Sequence, residues 1–300
     1  MADAKDITEL YFGSTPVESM YLGSNLIYPR APLGLVVGGL QYILVLYGNG
    51  TPLFYGNTTS SVANIPAICR QNTTSIVGTS VTAMALLKNG GIRVWGNTLW
   101  DIAVVPASAL PSKHINLATL TGFSVRETDG AVVSWGRNVN NIRNIPAGLV
   151  GVEELISFNE NVIIARKNDG TLVGWGTNTS NLLPIPAGLN SVTKIFVLPG
   201  SSAPAVIAIR QDGDWVAWGS GTTNWPFHPG PKFTAEDLVF ITSSVSVASS
   251  LHVLRVNGNL ELHRNGDMQV IDTNIAVLAT GSQYAIKNNG TVVPVADYFI

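Results

Sequence analysis

Asn-Gly or Asp-Gly pairs return along this chain at a nearly constant interval. Their glycines, Gly50, Gly90, Gly130, Gly170, Gly213, Gly258 and Gly290, stand 40, 40, 40, 43, 45 and 32 residues apart. A period near forty sustained over seven copies restricts the chain to a repeat architecture, because one supersecondary unit of that size cannot bury its apolar face without a neighbour. The flanking residues are β-formers, with Val206 to Ile209 leading into Asp212-Gly213 and Trp215 to Trp218 leading out. Asn-Gly and Asp-Gly suit a two-residue type I′ turn, so each repeat is expected to carry a tight hairpin of that type.

Two further landmarks keep fixed offsets from these turns. An aromatic-glycine pair follows at Tyr55-Gly56, Trp95-Gly96, Trp135-Gly136, Trp175-Gly176 and Trp218-Gly219, and a proline follows each second glycine at Pro66, Pro106, Pro146, Pro186 and Pro229. Constant offsets give these residues equivalent places in equivalent units. The repeated tryptophans are expected to pack between units, since an aromatic body buries more apolar surface than an aliphatic one.

Asp129 to Gly136 with Ile145 to Leu149, repeated at Asp169 to Gly176 with Ile185 to Leu189, resembles the bacterial form of the regulator of chromosome condensation repeat. The resemblance implies an all-β chain: a seven-bladed β-propeller of four-stranded antiparallel blades over residues 31–300, preceded by a short N-terminal β-ribbon over residues 1–30. Blades six and seven depart from the pattern, with His263-Arg264 and Val295-Ala296 where the aromatic and glycine belong. The seventh hairpin lies close to Ile300 while Pro32 to Leu46 adds strand-like sequence before the first, so the ring is expected to close by sharing one blade between the two chain ends.

The first thirty residues carry a second, shorter repeat. Leu10-Tyr11-Phe12-Gly13-Ser14 returns as Met20-Tyr21-Leu22-Gly23-Ser24, with Val17 and Ile27 also in register. This tandem pattern is similar to N-terminal segments of bacteriophage tail and other virion proteins, where it precedes an outer domain. Two brief strands are marginal alone and need a third surface. That surface is expected to be another virion protein, reached through Tyr11, Phe12, Tyr21, Leu22, Ile27 and Tyr28; the alternative is that the segment covers an edge of the propeller.

Charged residues make up 12% of the chain, about half the typical share. The surface is then rich in Ser, Thr, Asn and Gly, which lose little on desolvation against another protein. A formal charge of −2 leaves no broad basic footprint, so nucleic acid is not an expected partner. Cys69 is the single cysteine and is expected to be a small buried hydrophobe. The start Met1 to Asp6 lacks the basic and apolar segments of a signal peptide, and no apolar run is long enough to span a membrane. Synthesis in the host cytoplasm and residence in the virion, in multiple copies, are the expectation.

No catalytic, metal or cofactor constellation is legible. His114, His228, His252 and His263 fall in different repeats without metal-ligand spacing, and the neighbours Glu153 and Glu154 point to opposite faces of a strand. Departures from the repeat are the better guide to binding. Four residues past the second glycine the slot holds Ser60, Trp100, Asn140, Ser180 and Thr223, so Trp100 is an expected exposed contact for a sugar ring or a protein pocket. Two residues further on, Val62, Ile102, Ile142, Leu182 and Trp225 form an apolar slot, which favours a core place for Trp225. The fifth and sixth repeats are longer around Trp225 to Pro231, however, and this loop, with Trp225, Phe227 and His228, is a second candidate ligand contact. Three functions fit: a non-enzymatic phage structural protein in a tail fibre, tail tip or capsid decoration, displaying the propeller toward a host glycan or protein; a bacterial intracellular scaffold for protein partners; and a propeller enzyme acting on polysaccharide.

Overall fold

The computed structural model describes residues 11–12, 15–16, 20–22, 25–28, 32–39, 42–178, 180–198, 204–220, 232–234, 237–243, 250–264, 267–278, 284–287 and 292–294. No α-helix occurs among them; apart from short 3-10 turns the ordered elements are antiparallel strands. Tyr11–Phe12 pairs with Thr15–Pro16, and Met20–Leu22 pairs with Asn25–Tyr28. The tandem N-terminal repeat is thus two separate hairpins, one per copy, because each Gly-Ser pair lies between two strands instead of after one. Tyr11, Phe12, Tyr21, Leu22, Ile27 and Tyr28 lie on three of these four strands; their side-chain contacts lie outside the described structure.

Seven larger sheets follow in chain order. The first joins Pro32–Gly39, Tyr42–Tyr47 and Pro52–Gly56; the second joins Thr73–Gly78, Thr82–Leu87 and Ile92–Gly96. The third joins Ser112–Ala118, Thr121–Arg126 and Val132–Gly136, and the fourth Val152–Phe158, Val162–Lys167 and Leu172–Gly176. The fifth holds Val192–Leu198, Ala205–Arg210 and Trp215–Trp218. The sixth holds Leu238–Ser243, Ser250–Arg255, Leu260–Arg264 and Asp267–Asp272, and the seventh Ile275–Leu278, Tyr284–Lys287 and Val292–Pro294. From the first sheet to the sixth, opening strands of consecutive sheets lie side by side. Ile275–Leu278 packs against Ser250–Arg255 of the sixth sheet and, on its other side, against Pro32–Gly39 of the first, which closes the ring.

Two expectations need correction here. Among the described residues only the sixth sheet has a fourth strand; in the others three strands are paired. The proline segment after the third strand makes 3-10 turns such as Ser61–Ala63 and Ala67–Cys69, and proline has no N–H to give a sheet ladder. Nor, among the described residues, do the two ends share a sheet: the first and seventh sheets are each built from their own end of the chain, and they meet by packing.

The core is divided into wedges. In Thr82–Leu87 every residue is buried: Ala83, Ala85 and Leu87 pack toward the first sheet with Tyr42 and Leu44, while Met84 and Leu86 pack toward the third with Ile115 and Leu117. Val162 to Ala165 divides the same way, with Ile163 and Ala165 facing the third sheet and Val162 and Ile164 facing the fifth. Period-two alternation between two buried faces is why these middle strands read as unbroken apolar runs. Cys69 is buried in the first wedge.

The Trp-Gly landmark fastens each wedge to the one before. The indole N–H of Trp95 donates to the carbonyl of Val62 at 2.8 Å, Trp135 to Ile102 at 2.7 Å, Trp175 to Ile142 at 2.6 Å and Trp218 to Leu182 at 2.7 Å. These acceptors are the apolar slot, and all four are fully buried. Glycine follows the tryptophan because a side chain there would strike that same slot: a Cβ on Gly136 (φ +85°) would lie 2.8 Å from Ile102 Cδ1 and 2.4 Å from Leu120 O.

The hairpin differs from a type I′ turn. Gly50 has φ +85°, whereas Asn49 is not in the left-handed region, and the Gly50 N–H bonds Tyr47 O while the Tyr47 N–H bonds Thr51 O. This is a three-residue loop ending in a left-handed glycine. Asn or Asp is used for its side-chain oxygen, which accepts the N–H two residues on: Thr51 N–H to Asn49 Oδ1 at 2.9 Å, Gly91 to Asn89 at 3.0 Å, Thr171 to Asp169 at 2.9 Å. The glycine carbonyl then accepts an N–H from the next unit, from Thr73, Ser112, Val152, Val192 and Ile275 at the start of a sheet and from Phe233 five residues before the sixth sheet opens.

Candidate recognition surface

The connector between the second and third sheets carries Leu99, Trp100 and Val104, which are 63%, 62% and 68% exposed. Two residues beyond Trp100, Ile102 is fully buried under the Trp135 indole. The exposed ring is therefore mounted on a segment pinned from below. Trp100 (φ 63°, ψ 29°) and Asp101 (φ 56°) are left-handed, as are Asn140 (φ 53°) and Asn141 (φ 60°) one repeat on. Asparagine tolerates that conformation; tryptophan holds it at a cost.

Trp100 has company that the sequence did not point to. The Arg137 guanidinium lies over its ring, 5.9 Å from the centroid, and Arg137 Nη1 reaches Glu160 Oε2 at 3.2 Å. Asn140 Nδ2 donates to Glu160 O at 3.0 Å and to Asn161 Oδ1 at 2.6 Å. Arg137 follows Trp135-Gly136 of the third sheet, Asn140 is on the next connector, and Glu160 is in the turn opening the fourth sheet's middle strand. A signal for them was present: one residue past the second glycine the chain reads Asn57, Asn97, Arg137, Thr177 and Ser220, and Arg137 is the exception. The other candidates, Trp225, Phe227 and His228, lie outside the described residues.

Several other charged groups are tied into the frame. Glu153 pairs with Lys113 at 2.6 Å and Glu154 with Arg166 at 2.9 Å, so the two neighbouring carboxylates serve different partners. Burial pushes the Glu154 carboxyl up against the pull of Arg166. His114 Nε2 accepts the Leu155 N–H at 3.1 Å across the third and fourth sheets, and burial pushes its pKa down, which keeps the ring neutral for that role. In the sixth sheet, where Trp-Gly becomes His263-Arg264, His263 Nε2 meets Glu261 Oε2 at 2.8 Å and Arg255 bonds the same carboxylate. Burial pushes His263 down and acts to raise Glu261, but bonds from Arg255 and His263 hold Glu261 below its ordinary value. Among the described residues no group of three His, Cys, Asp or Glu side chains is placed to share a metal ion, and no helix is long and apolar enough to cross a membrane.

Antiparallel wedges packed face to face into a closed ring define the class: a β-propeller. Among solved structures the chain is similar to yeast RCC1 (Prp20) bound to Kap60, with TM-score 0.55 and 13% identity over 76% of this chain and 68% of that one. It is also similar to the ectodomain of the Physcomitrella patens receptor kinase CR4, at TM-score 0.58 and 17% identity over 84% and 69%. The CRINKLY WD40 ectodomain of the Arabidopsis thaliana receptor kinase ACR4 matches at TM-score 0.56 and 12% identity over 88% and 94%. At these identities the likeness is one of fold, an RCC1-like β-propeller. No family profile and no curated protein sequence matches the chain.

Proposed function

We propose that this chain is a non-enzymatic structural protein of a bacteriophage particle, in a tail fibre, tail tip or capsid decoration. Residues 1–30 dock to other virion proteins, and the propeller is displayed outward, in multiple copies, for host-surface recognition or decoration. The observation that carries this reading is the tandem N-terminal pattern, resolved into two hairpins of two to four residues per strand set before the ring. Hairpins that short need another surface for stability. The propeller suits display because its core is divided between wedges, so exposed connector positions such as Leu99, Trp100 and Val104 can vary while Ile102 between them stays buried. The weak charge of the chain favours close assembly.

The test is deletion of residues 1–30. The truncated propeller is expected to keep its far-ultraviolet circular dichroism and melting transition but to be missing from purified particles assembled in its presence. Incorporation at the level of the full chain would overturn the docking role. A second reading, an intracellular protein-binding scaffold, draws support from the Kap60 complex of the RCC1 neighbour, and it predicts full-length protein free in the cell, with none in particles.

A further inference from the structure

We infer that Trp100, Arg137, Asn140 and Glu160 form a subsite for one pyranose ring of a neutral glycan, an inference that rests on the host-recognition reading above. Three residues that each break the habit of their repeat slot meet at one place. Trp100 stands among Ser60, Asn140, Ser180 and Thr223; Arg137 among Asn57, Asn97, Thr177 and Ser220; Glu160, ten residues before its hairpin glycine, among Leu40, Ser80 and Leu120. They come from three successive repeats and converge through the guanidinium above the indole, 5.9 Å from its centroid, and the 3.2 Å Arg137–Glu160 pair. No wedge core uses any of them.

The chemistry fits a sugar. An exposed indole offers a flat apolar surface to the C–H face of a pyranose, and the adjoining guanidinium and carboxylate offer donors and acceptors to its hydroxyls. Arg137 and Glu160 neutralise one another, which favours an uncharged ring over an acidic one. The platform is already rigid, since Ile102 is held by Trp135 and the Asn140 amide is fixed on Glu160 O and Asn161 Oδ1.

The experiment uses the full chain and its Trp100→Asn variant. Asparagine is the residue of the equivalent slot one repeat on, so the variant retains the fold, checked by its melting transition. Maltohexaose, cellohexaose and chitohexaose serve as neutral probes and polygalacturonate as the acidic one, with binding read by titration calorimetry and tryptophan emission. The expected result is saturable binding of at least one neutral probe, weakened at least tenfold in Trp100→Asn and in Glu160→Gln. Response to polygalacturonate alone, no response to any probe, or equal binding by Trp100→Asn would overturn the assignment. Particle incorporation of the same Trp100→Asn chain is measured in parallel. Normal incorporation of Trp100→Asn together with its loss of sugar binding is the outcome the subsite predicts; a full chain that enters particles but binds no probe defeats the subsite and leaves virion docking standing, whereas loss of incorporation on removing residues 1–30 is independent of Trp100.

Discussion

Replacing Trp135 by phenylalanine tests the fastening of the ring. The indole N–H donates to Ile102 O at 2.7 Å, and donor and acceptor residues are 4% and 0% exposed, so the carbonyl is screened from bulk water. An acceptor left bare in such a place costs about 1–3 kcal/mol. The smaller ring also gives up the equivalent of one or two buried methylenes, roughly 1–2 kcal/mol. Together the loss is about 2–5 kcal/mol, a fall in Tm on the order of 5–10 °C for a domain of this size. The control is Trp100→Phe, which removes an indole of the same chemistry from an exposed position and should change stability by less than about 0.5 kcal/mol. Urea titrations followed by circular dichroism measure both. Because Trp95, Trp175 and Trp218 make the same bond in other wedges, their Phe variants should each fall in the same range. If Trp135→Phe costs no more than Trp100→Phe, the indole-to-carbonyl bond is not what joins the wedges.

Three other outcomes are expected. Gly90→Ala should destabilise by about 3 kcal/mol or more, while Gly148→Ala costs only the left-handed penalty of about 1–2 kcal/mol; both have positive φ, but a Cβ at 90 would lie 2.7 Å from Pro111 Cβ and one at 148 meets nothing within 4 Å, so equal urea midpoints would rule out the inter-sheet contact. His114 has a folded pKa lowered by burial, so the unfolded chain takes up the proton first; stability is full above the unfolded value near 6.5 and falls as pH drops below it. His114→Gln should flatten part of that decline between pH 7 and 5 in Tm measurements, and an unchanged slope counts against a neutral bridging role. Trp100→Asn should leave the protein as stable or firmer by about 0.5–1 kcal/mol, since relief of left-handed strain exceeds the loss of an exposed cation–π contact; a clear drop in Tm would show the ring to be structural.

Much of this fold is legible from local chemistry. The Asn-Gly and Asp-Gly landmarks place the hairpins, the apolar runs between them mark strands buried on two faces, and Val62, Ile102, Ile142 and Leu182 read as core from their slot alone. The candidate site is only half legible: Trp100 stands out against its slot, but its partners do not declare themselves as partners. Arg137 and Glu160 are 37 and 60 residues further along, and only the curvature of the ring brings three repeats to one point.

Turn chemistry, two-residue alternation and a forty-residue period are properties of neighbouring residues, so the sequence by itself determined that the chain is a β-repeat array and where its units begin. Whether a unit has three strands or four, how the ends meet, and which carbonyl receives each indole depend on contacts made across wedges, 33 residues or more apart. Those were decided by tertiary packing, because a proline segment denied a place in the ladder must fold over the neighbouring wedge, and its buried carbonyl then needs a donor that only the next repeat supplies.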